Sequence, residues 1–149
     1  MLYVKINIIE EEFAMINLIV GKKGTGKTKA IIESANNAKA TEQGDVIFIC
    51  NGTRHLFDIN HSVRLVDINE YDHADFRLFL SFINGILAQN YDITHIYIDS
   101  LLKIVSEDEN LEGFIEAIEK ISNAKNVKFT VSISADKTEL PEGIHKYII

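Results

Sequence analysis

The amino-acid sequence predicts an α/β fold, a three-layer α/β/α domain built on a mainly parallel sheet. Short apolar runs recur along its 149 residues, as expected for strands that are buried on both faces. Between these runs, apolar residues recur at the spacing of an amphipathic helix. Strands that alternate with helices imply right-handed crossovers, and therefore parallel strands with helices on both faces of the sheet. The length is that of one domain with a sizeable core.

Six strands and three helices are predicted. The strands are predicted at 16–20, 45–50, 64–68, 95–99, 127–134 and 146–149. The first helix is predicted at 27–39, where small side chains such as Ala35 and Ala38 allow close packing on the sheet. The second, at 75–90, is predicted from the spacing of Phe76, Phe79, Leu80, Ile83, Ile86 and Leu87. The third is predicted from the same spacing of Leu111, Phe114, Ile115, Ile118 and Ile121.

The composition limits the class of protein. With 46% hydrophobic and 25% charged residues, it is ordinary for a globular protein and excludes a disordered chain. The longest apolar runs, such as 15–20, are far too short to span a bilayer, and no basic segment precedes a long apolar stretch. Cys50 is the only cysteine, which excludes an internal disulfide and a cysteine-cluster metal site. We expect this cysteine to be a small buried hydrophobe, and the protein to be cytoplasmic with no membrane partner.

The charge of the chain disfavours nucleic acid as a partner. The formal net charge is −7, which repels nucleic-acid phosphates unless a local basic patch offsets it. The dense basic cluster consists of Lys22, Lys23, Lys27 and Lys29, and the glycine loop described below accounts for it.

Residues 1–14 differ in kind from the rest, so the domain proper is predicted to span 15–149. One interpretation is a translated leader before a natural start at Met15, since codons for Glu10, Glu11 and Glu12 can contain a purine-rich ribosome-binding sequence. The other is an added edge strand, because Tyr3, Lys5 and Asn7 alternate with Val4, Ile6 and Ile8. An intact N-terminus at Met1 in protein from the native cell would contradict the leader.

The segment GKKGTGKT, residues 21–28, carries the chemistry of the chain. It matches G-x-x-x-x-G-K-[ST] at Gly21, Gly26, Lys27 and Thr28, between a predicted strand and a predicted helix. Gly21, Gly24 and Gly26 permit backbone angles that bring N–H groups together as an anion-binding nest, and the helix adds its positive end. Lys27 is predicted to reach the β- and γ-phosphates, and the Thr28 hydroxyl to ligate Mg²⁺. A glycine turn that merely joins strand to helix is the alternative.

The other loop residues are predicted to line the phosphate site. Lys22, Lys23 and Thr25 lie inside the loop, but the pattern does not fix their type. Solvated charges are therefore the simpler interpretation of the two lysines.

On these residues the chain resembles the P-loop NTPase superfamily, and the likeness covers most of 15–149. It is similar in particular to small stand-alone bacterial ATP-binding proteins of the RecA-like branch, some of which carry a twitching-motility-ATPase label. True motility ATPases are far longer, and this chain has none of their additional motifs. The resemblance implies binding of a nucleoside triphosphate with Mg²⁺. ATP is the simplest choice, and GTP stays open because no base-reading motif is present.

The superfamily's second motif is an apolar strand that ends in aspartate. Ile96, Tyr97, Ile98 and Asp99 match it, so the resemblance implies that Asp99 holds Mg²⁺ with Thr28. Asp67 and Asp136 are the competing carboxylates. In the RecA-like branch the next strand ends in a polar residue that senses the γ-phosphate, which corresponds to Ser134 or Ser132. A hydroxyl bonded to the backbone is the alternative for either serine.

The sequence also departs from the family. Active members of the branch commonly place a glutamate directly after the motif aspartate, where it orients the attacking water, and here that residue is Ser100. Glu107 and Glu109 follow too far along to replace it simply. Arg54, in the loop after the second strand, is the best candidate for stabilising the transferred phosphoryl group, ahead of Arg64 and Arg77.

Three functions follow from these residues. The first is a nucleotide-binding protein with slow or partner-dependent hydrolysis, for which an unidentified protein partner is possible. The second is a non-catalytic regulatory module in which bound ATP selects a conformation. The third is a small-molecule kinase that uses the polar segment 51–62 as its acceptor site, although His55 and His61 in that segment are more typical of ordinary loop polarity.

Overall fold

The fold is described from a computed structural model, for residues 15–73, 75–106 and 110–149. The predicted N-terminal extension at 1–14 and the two acids Glu107 and Glu109 lie outside the described residues. The strands are β1 (Ile16–Gly21), β2 (Asp45–Cys50), β3 (Arg64–Asp67), β4 (Ile93–Ile98) and β5 (Lys128–Ser134). The α-helices are α1 (Lys27–Thr41), α2 (Phe76–Gln89), α3 (Leu101–Ile104) and α4 (Leu111–Lys125). Short 3-10 helices span Ile68–Glu70, Lys137–Glu139 and Glu142–Tyr147.

The five strands form one parallel sheet in the order β1-β5-β4-β2-β3. β5 therefore lies between β1, which leads into the glycine loop, and β4, which leads to Asp99. The register of β1 on β5 aligns Gly21 with Ser134 and Ile19 with Ser132. Because all strands are parallel, their carboxyl ends meet at one edge of the sheet, where ligands collect in open α/β folds.

The helices cover both faces of the sheet, which confirms the predicted three layers. On one face, α1 packs through small and branched side chains, in particular Ile31 and Ala35, against β2 and Tyr97 of β4. On the other face, α2 and α4 pack on the same strands through side chains such as Phe79 and Ile118. Alternation along β2 explains this division, since Ile47 and Ile49 point to one face while Val46, Phe48 and Cys50 point to the other.

The helix ends follow from local capping. Asp75 precedes α2, and its carboxylate accepts a hydrogen bond from the Leu78 N–H at 2.8 Å. Asn110 caps α4 in the same way through the Gly113 N–H at 2.9 Å. α4 ends at Asn126, whose left-handed backbone (φ 55°) is one that asparagine tolerates better than most residues.

The predicted final strand at 146–149 is wrong. Residues Glu142–Tyr147 form a 3-10 helix, and the chain then makes a single parallel bridge between Ile148 and Leu18 of β1. The apolar residues are explained by packing, since Tyr147 and Ile148 lie against the core cluster. The predicted third strand is also shortened, because Ile68 begins a 3-10 helix that the Asp67 carboxylate caps.

Candidate phosphate and magnesium site

The glycine loop connects β1 to α1 at the carboxyl edge of the sheet. Gly24 and Gly26 have φ of 83° and 87°, a left-handed conformation that side chains disfavour. A Cβ on Gly21 would come within 2.8 Å of the Thr25 Oγ1. The glycines therefore allow the backbone conformation of the loop. In this conformation the loop N–H groups lie next to the amino end of α1. Such an arrangement favours an anion.

Lys27 lies along this loop. Its Nζ donates to the Lys22 carbonyl at 2.8 Å, and the Thr25 Oγ1 donates to the same carbonyl at 2.7 Å. The lysine is half-buried at the first position of α1. The Lys27 ammonium is thus held at the loop on a flexible side chain, and it can exchange the neutral Lys22 carbonyl for a charged oxygen.

Thr28 and Asp99 meet although 71 residues separate them. The Thr28 Oγ1 lies 3.4 Å from both carboxylate oxygens of Asp99. Asp99 follows β4 and is 6% exposed. A hydroxyl and a carboxylate are hard oxygen ligands, and Mg²⁺ is commonly bound by one or two such protein groups together with phosphate oxygens and water. The donor set therefore fits Mg²⁺.

Asp99 is held from behind by β5. The Ser132 Oγ donates to Asp99 Oδ1 at 2.7 Å, and the Ser132 Oγ itself accepts a hydrogen bond from the Ser100 N–H at 2.7 Å. Ser132 is 1% exposed. Ser100 has a left-handed backbone, with φ 56° and ψ 59°, so the chain turns sharply immediately after Asp99.

Ser134 and the two variable lysines line a cleft beside the loop. The cleft has a volume of about 400 Å³. It is lined by Lys22, Lys23, Ser100, Leu102, Lys103, Ser134, Ala135, Asp136 and Glu139. The Ala135 N–H donates to the Gly21 carbonyl at 3.1 Å, which ties the end of β5 to the start of the loop. Lys22 Nζ lies 3.7 Å from Asp136 Oδ2 in an exposed ion pair.

Asp136 has a local role of its own. Its carboxylate caps the 3-10 helix Lys137–Glu139 by accepting from the N–H and the hydroxyl of Thr138, at 3.0 and 2.9 Å. The Thr138 N–H, the Thr138 hydroxyl and then Lys22 lower the pKa of this carboxyl group.

Asp67, the other competing carboxylate, is engaged in a second loop. Its Oδ1 accepts the N–H groups of Gly52 and Asn69, at 2.8 and 3.0 Å. Its neighbour Cys50 is buried, as the sequence predicts. Burial, followed by the negative charges of Asp67 and Asp99, raises the pKa of this thiol to about 11.

The segment 51–62 extends along α1. The Asn36 side chain binds both the Asp58 carbonyl and the Asn60 N–H, at 3.0 and 2.8 Å. Arg54 is exposed within this segment, and Arg64 and Arg77 are exposed elsewhere. None of the three arginines lines the cleft beside the glycine loop.

A larger groove lies elsewhere on the molecule. Its volume is about 1210 Å³, and it follows the edge strand β3 and one side of α2. It includes no residue of the glycine loop, nor Asp99 or Ser134. Size therefore does not identify the site, and we place the candidate site where the loop, Thr28 and Asp99 meet.

The hydrogen bond from Ser132 to Asp99 was not foreseen from the sequence. Periodicity puts Ser132 and Ser134 on the same face of β5, which leaves both as candidates for one role. The strand pairing distinguishes the two serines, because β5 lies next to β4 and Val131 pairs with Ile98. Ser132 thus lies beside Asp99, while Ser134 lies further along at the level of Gly21.

Comparison with known proteins supports the fold. No protein-family model matches the chain, and no curated protein matches it. A solved structure that matches is the flagellar accessory protein FlaH from Methanocaldococcus jannaschii, with a TM-score of 0.58 and 16% identity. The match covers 87% of this chain and 64% of the FlaH chain, so this chain spans less than two thirds of that protein's length.

No helix within the described ranges has both the length and the apolar character to cross a bilayer. At 16% identity, the similarity to FlaH supports the fold of the chain alone. Together with the sheet order and the helices on both faces, it shows that the chain has a three-layer, P-loop NTPase-like α/β fold.

Proposed function

We propose that the chain binds a nucleoside triphosphate, most simply ATP with Mg²⁺, through the loop at residues 21–28. The observation that carries this proposal is the contact of Thr28 with Asp99, at 3.4 Å, directly beside the glycine loop. A glycine turn that only joined a strand to a helix would have no need of a carboxylate at this point. The match to the full loop pattern and the amino end of α1 support the same site.

Each residue has a part in the proposed complex. The N–H groups of the loop and the amino end of α1 bind phosphate oxygens, and Lys27 leaves the Lys22 carbonyl to neutralise the β- and γ-phosphates. Thr28 and Asp99 would hold Mg²⁺, which would supply positive charge to offset that of the phosphates. We assign the γ-phosphate contact to Ser134, and its pairing with Gly21 at the start of the loop supports this assignment.

We propose that hydrolysis is slow or depends on a protein partner, in the cytoplasm. Phosphoryl transfer requires a group that positions the nucleophile, and the residue after Asp99 is Ser100. Arg54 remains a candidate for charge stabilisation only if the exposed segment 51–62 approaches the phosphates, directly or in a complex. A serine in place of a water-orienting glutamate at position 100 also favours a second candidate function. In that function the protein is a regulatory module in which bound ATP selects a conformation without being hydrolysed.

The test is thermal unfolding with Mg²⁺ and ATP, GTP or ADP. A ligand at about 100 times its dissociation constant adds roughly 2.7 kcal/mol to the free energy of unfolding. In a domain of this size the melting temperature should rise by about 3 to 6 °C. Lys27→Ala should abolish the shift, whereas Lys120→Ala, which removes an exposed lysine from α4, should preserve it.

The outcomes separate the candidate functions. A shift with one nucleotide that Lys27→Ala removes supports the loop and identifies the base. No shift with any nucleotide contradicts the proposal. Phosphate release by the wild type with Mg²⁺ favours the ATPase, and binding without release favours the regulatory module.

A further inference from the structure

We propose that Ser132 is a positioning residue for the magnesium site, one that aims Asp99 at the metal through its hydroxyl. The proposal rests on the proposed function and assigns Ser132 a role different from γ-phosphate sensing. Ser132 would touch neither the nucleotide nor Mg²⁺, and would act only through Asp99 and Ser100.

The direction of the hydrogen bonds supports this role of Ser132. A serine hydroxyl has one proton, and an N–H group can only donate. Because the Ser100 N–H donates to the Ser132 Oγ at 2.7 Å, the serine proton is free to be given to Asp99 Oδ1, also at 2.7 Å. The chain of bonds thus runs one way, from the Ser100 backbone through Ser132 to the carboxylate.

The consequence is that the two oxygens of Asp99 are no longer equivalent. Oδ1 is bound to β5 by a short hydrogen bond to a charged acceptor, which is stronger than a neutral one. Within the described residues, the side-chain hydrogen bond of Oδ2 is the longer contact with Thr28, at 3.4 Å. We infer that Oδ2 is the oxygen that ligates Mg²⁺, and that Ser132 prevents the carboxylate from turning away.

Ser132 also contacts the backbone of the turn that follows Asp99. Ser100 is one of two non-glycine residues in the described chain with positive φ, and such a conformation persists only where its surroundings hold it. The hydrogen bond from the Ser100 N–H to Ser132 is such a constraint, within a site where Ser132 is 1% exposed. Ser132 therefore fixes both the side chain of Asp99 and the backbone that follows it.

Ser134 provides the matched control. It lies two residues further along the same strand, on the same face, and it lines the open cleft. Removing its hydroxyl changes one serine of β5 to alanine without touching the bonds to Asp99 and Ser100.

The experiment measures ATP binding by calorimetry with and without Mg²⁺, for the wild type, Ser132→Ala and Ser134→Ala. Removing the hydrogen-bond partner of a metal ligand typically lowers metal affinity about 10- to 100-fold. We expect Ser132→Ala to lower the affinity for ATP with Mg²⁺ by about 10-fold or more, and to leave the affinity in EDTA nearly unchanged. Ser134→Ala, which removes a proposed γ-phosphate contact, should change the affinities with and without Mg²⁺ together and leave their ratio unchanged. Ser132→Thr, which keeps the hydroxyl, should restore the effect of Mg²⁺ in part.

A general loss of structure would lower both affinities together, so the ratio between them is the diagnostic quantity. Equal losses with and without Mg²⁺, or an unchanged ratio, would overturn the positioning role while leaving ATP binding intact. If the wild type binds no ATP under either condition, the proposed function fails and this inference fails with it. Melting temperatures of each variant identify one that does not fold, in which case Ser132→Cys, which has a somewhat larger side chain and a weaker donor, replaces Ser132→Ala.

Discussion

At the scale of single residues, two aspartates lie at the carboxyl ends of β3 and β4, which β2 separates in the sheet, and they have different surroundings. Asp99 follows β4 and faces Thr28 at the glycine loop. Asp67 ends β3, and its carboxylate binds the backbone N–H groups of Gly52 and Asn69. The first arrangement leaves carboxylate oxygens near a phosphate site, whereas the second uses the carboxylate to close a turn.

Their substitution should therefore separate a metal ligand from a structural cap. We expect Asp99→Asn to lower the affinity for ATP with Mg²⁺ by about 10-fold or more, because a neutral amide is a poorer ligand for a hard cation. Affinity in EDTA should stay equal or rise, since a negative charge near the phosphates is removed. Asp67→Asn should lower the melting temperature and leave the effect of Mg²⁺ on ATP binding unchanged. Calorimetry with and without Mg²⁺ measures both, and loss of the Mg²⁺ effect in Asp67→Asn would reverse the assignment.

At the scale of elements, the glycine loop and the helix α2 contain glycines in different conformations. Gly26 has φ 87°, and Gly85 lies within α2; a Cβ would meet no atom within 4 Å at either position. Steric crowding is thus absent at both, and only the backbone angle differs. Alanine in a left-handed conformation costs about 1 to 2 kcal/mol, whereas alanine inside a helix gains about 0.5 to 1 kcal/mol over glycine.

The two alanine variants should therefore change the free energy of unfolding in opposite directions. Gly26→Ala should destabilise the protein by about 1 kcal/mol or more and weaken ATP binding, because the loop must change its path. Gly85→Ala should stabilise it by about 0.5 to 1 kcal/mol without affecting binding. Urea unfolding of each variant gives the free energies, and a stable Gly26→Ala protein that binds ATP normally would contradict the need for a left-handed residue there.

Element boundaries show what local sequence can and cannot predict. The helix at Phe76–Gln89 agrees with the predicted 75–90, because its apolar period is long and Asp75 is a strong cap. The last strand was predicted wrongly, because the apolar residues of 146–149 serve to pack a 3-10 helix against β1. Apolar runs of four residues carry little periodicity, so tertiary contacts decide their conformation.

At the scale of the whole molecule, the sequence predicts the layers and the loop but not the order of the strands. Thr28 and Asp99 were paired through the family resemblance, and the contact between them depends on where β4 lies in the sheet. The bond from Ser132 to Asp99 depends further on β5 lying beside β4, which no local pattern encodes. The residue types of a site that is assembled across a sheet can thus be predicted from sequence. The hydrogen bonds between those residues follow only from the order of the strands.

The opposite edge of the sheet holds a partly buried charged cluster that joins the end of α1 to β4 and β5. Glu42 follows α1, and its carboxylate accepts from the Thr94 hydroxyl at 2.6 Å and the Lys128 ammonium at 2.9 Å. The His95 Nδ1 lies 3.0 Å from the same carboxylate, and the His95 Nε2 lies 2.8 Å from the Thr130 hydroxyl. These groups lie at the amino ends of β4 and β5, away from the phosphate site.

The cluster makes stability depend on pH with a definite sign. Burial alone would raise the pKa of Glu42, but hydrogen bonds from His95, Thr94 and Lys128 outweigh it and lower the pKa from 4.5 to about 2. Its contribution is therefore complete above pH 4.5 and is lost as the pH falls towards 2. Burial lowers the pKa of His95 below 6.5, so protonation of the unfolded chain reduces stability further below that pH.

Replacing Glu42 tests this account of the fold independently of any ligand. Glu42→Gln should lower the free energy of unfolding near neutral pH by about 1 to 3 kcal/mol, because the shifted carboxylate loses its charge and solvent screens part of that interaction. The difference from wild type should shrink as the pH falls from 4.5 towards 2, where the native carboxylate is also protonated. Glu33→Gln, which changes an exposed carboxylate of α1, should have little effect at any pH. Urea unfolding across this pH range measures the difference without adding salt, and a pH-independent difference would show that Glu42 acts through shape and not through its charge.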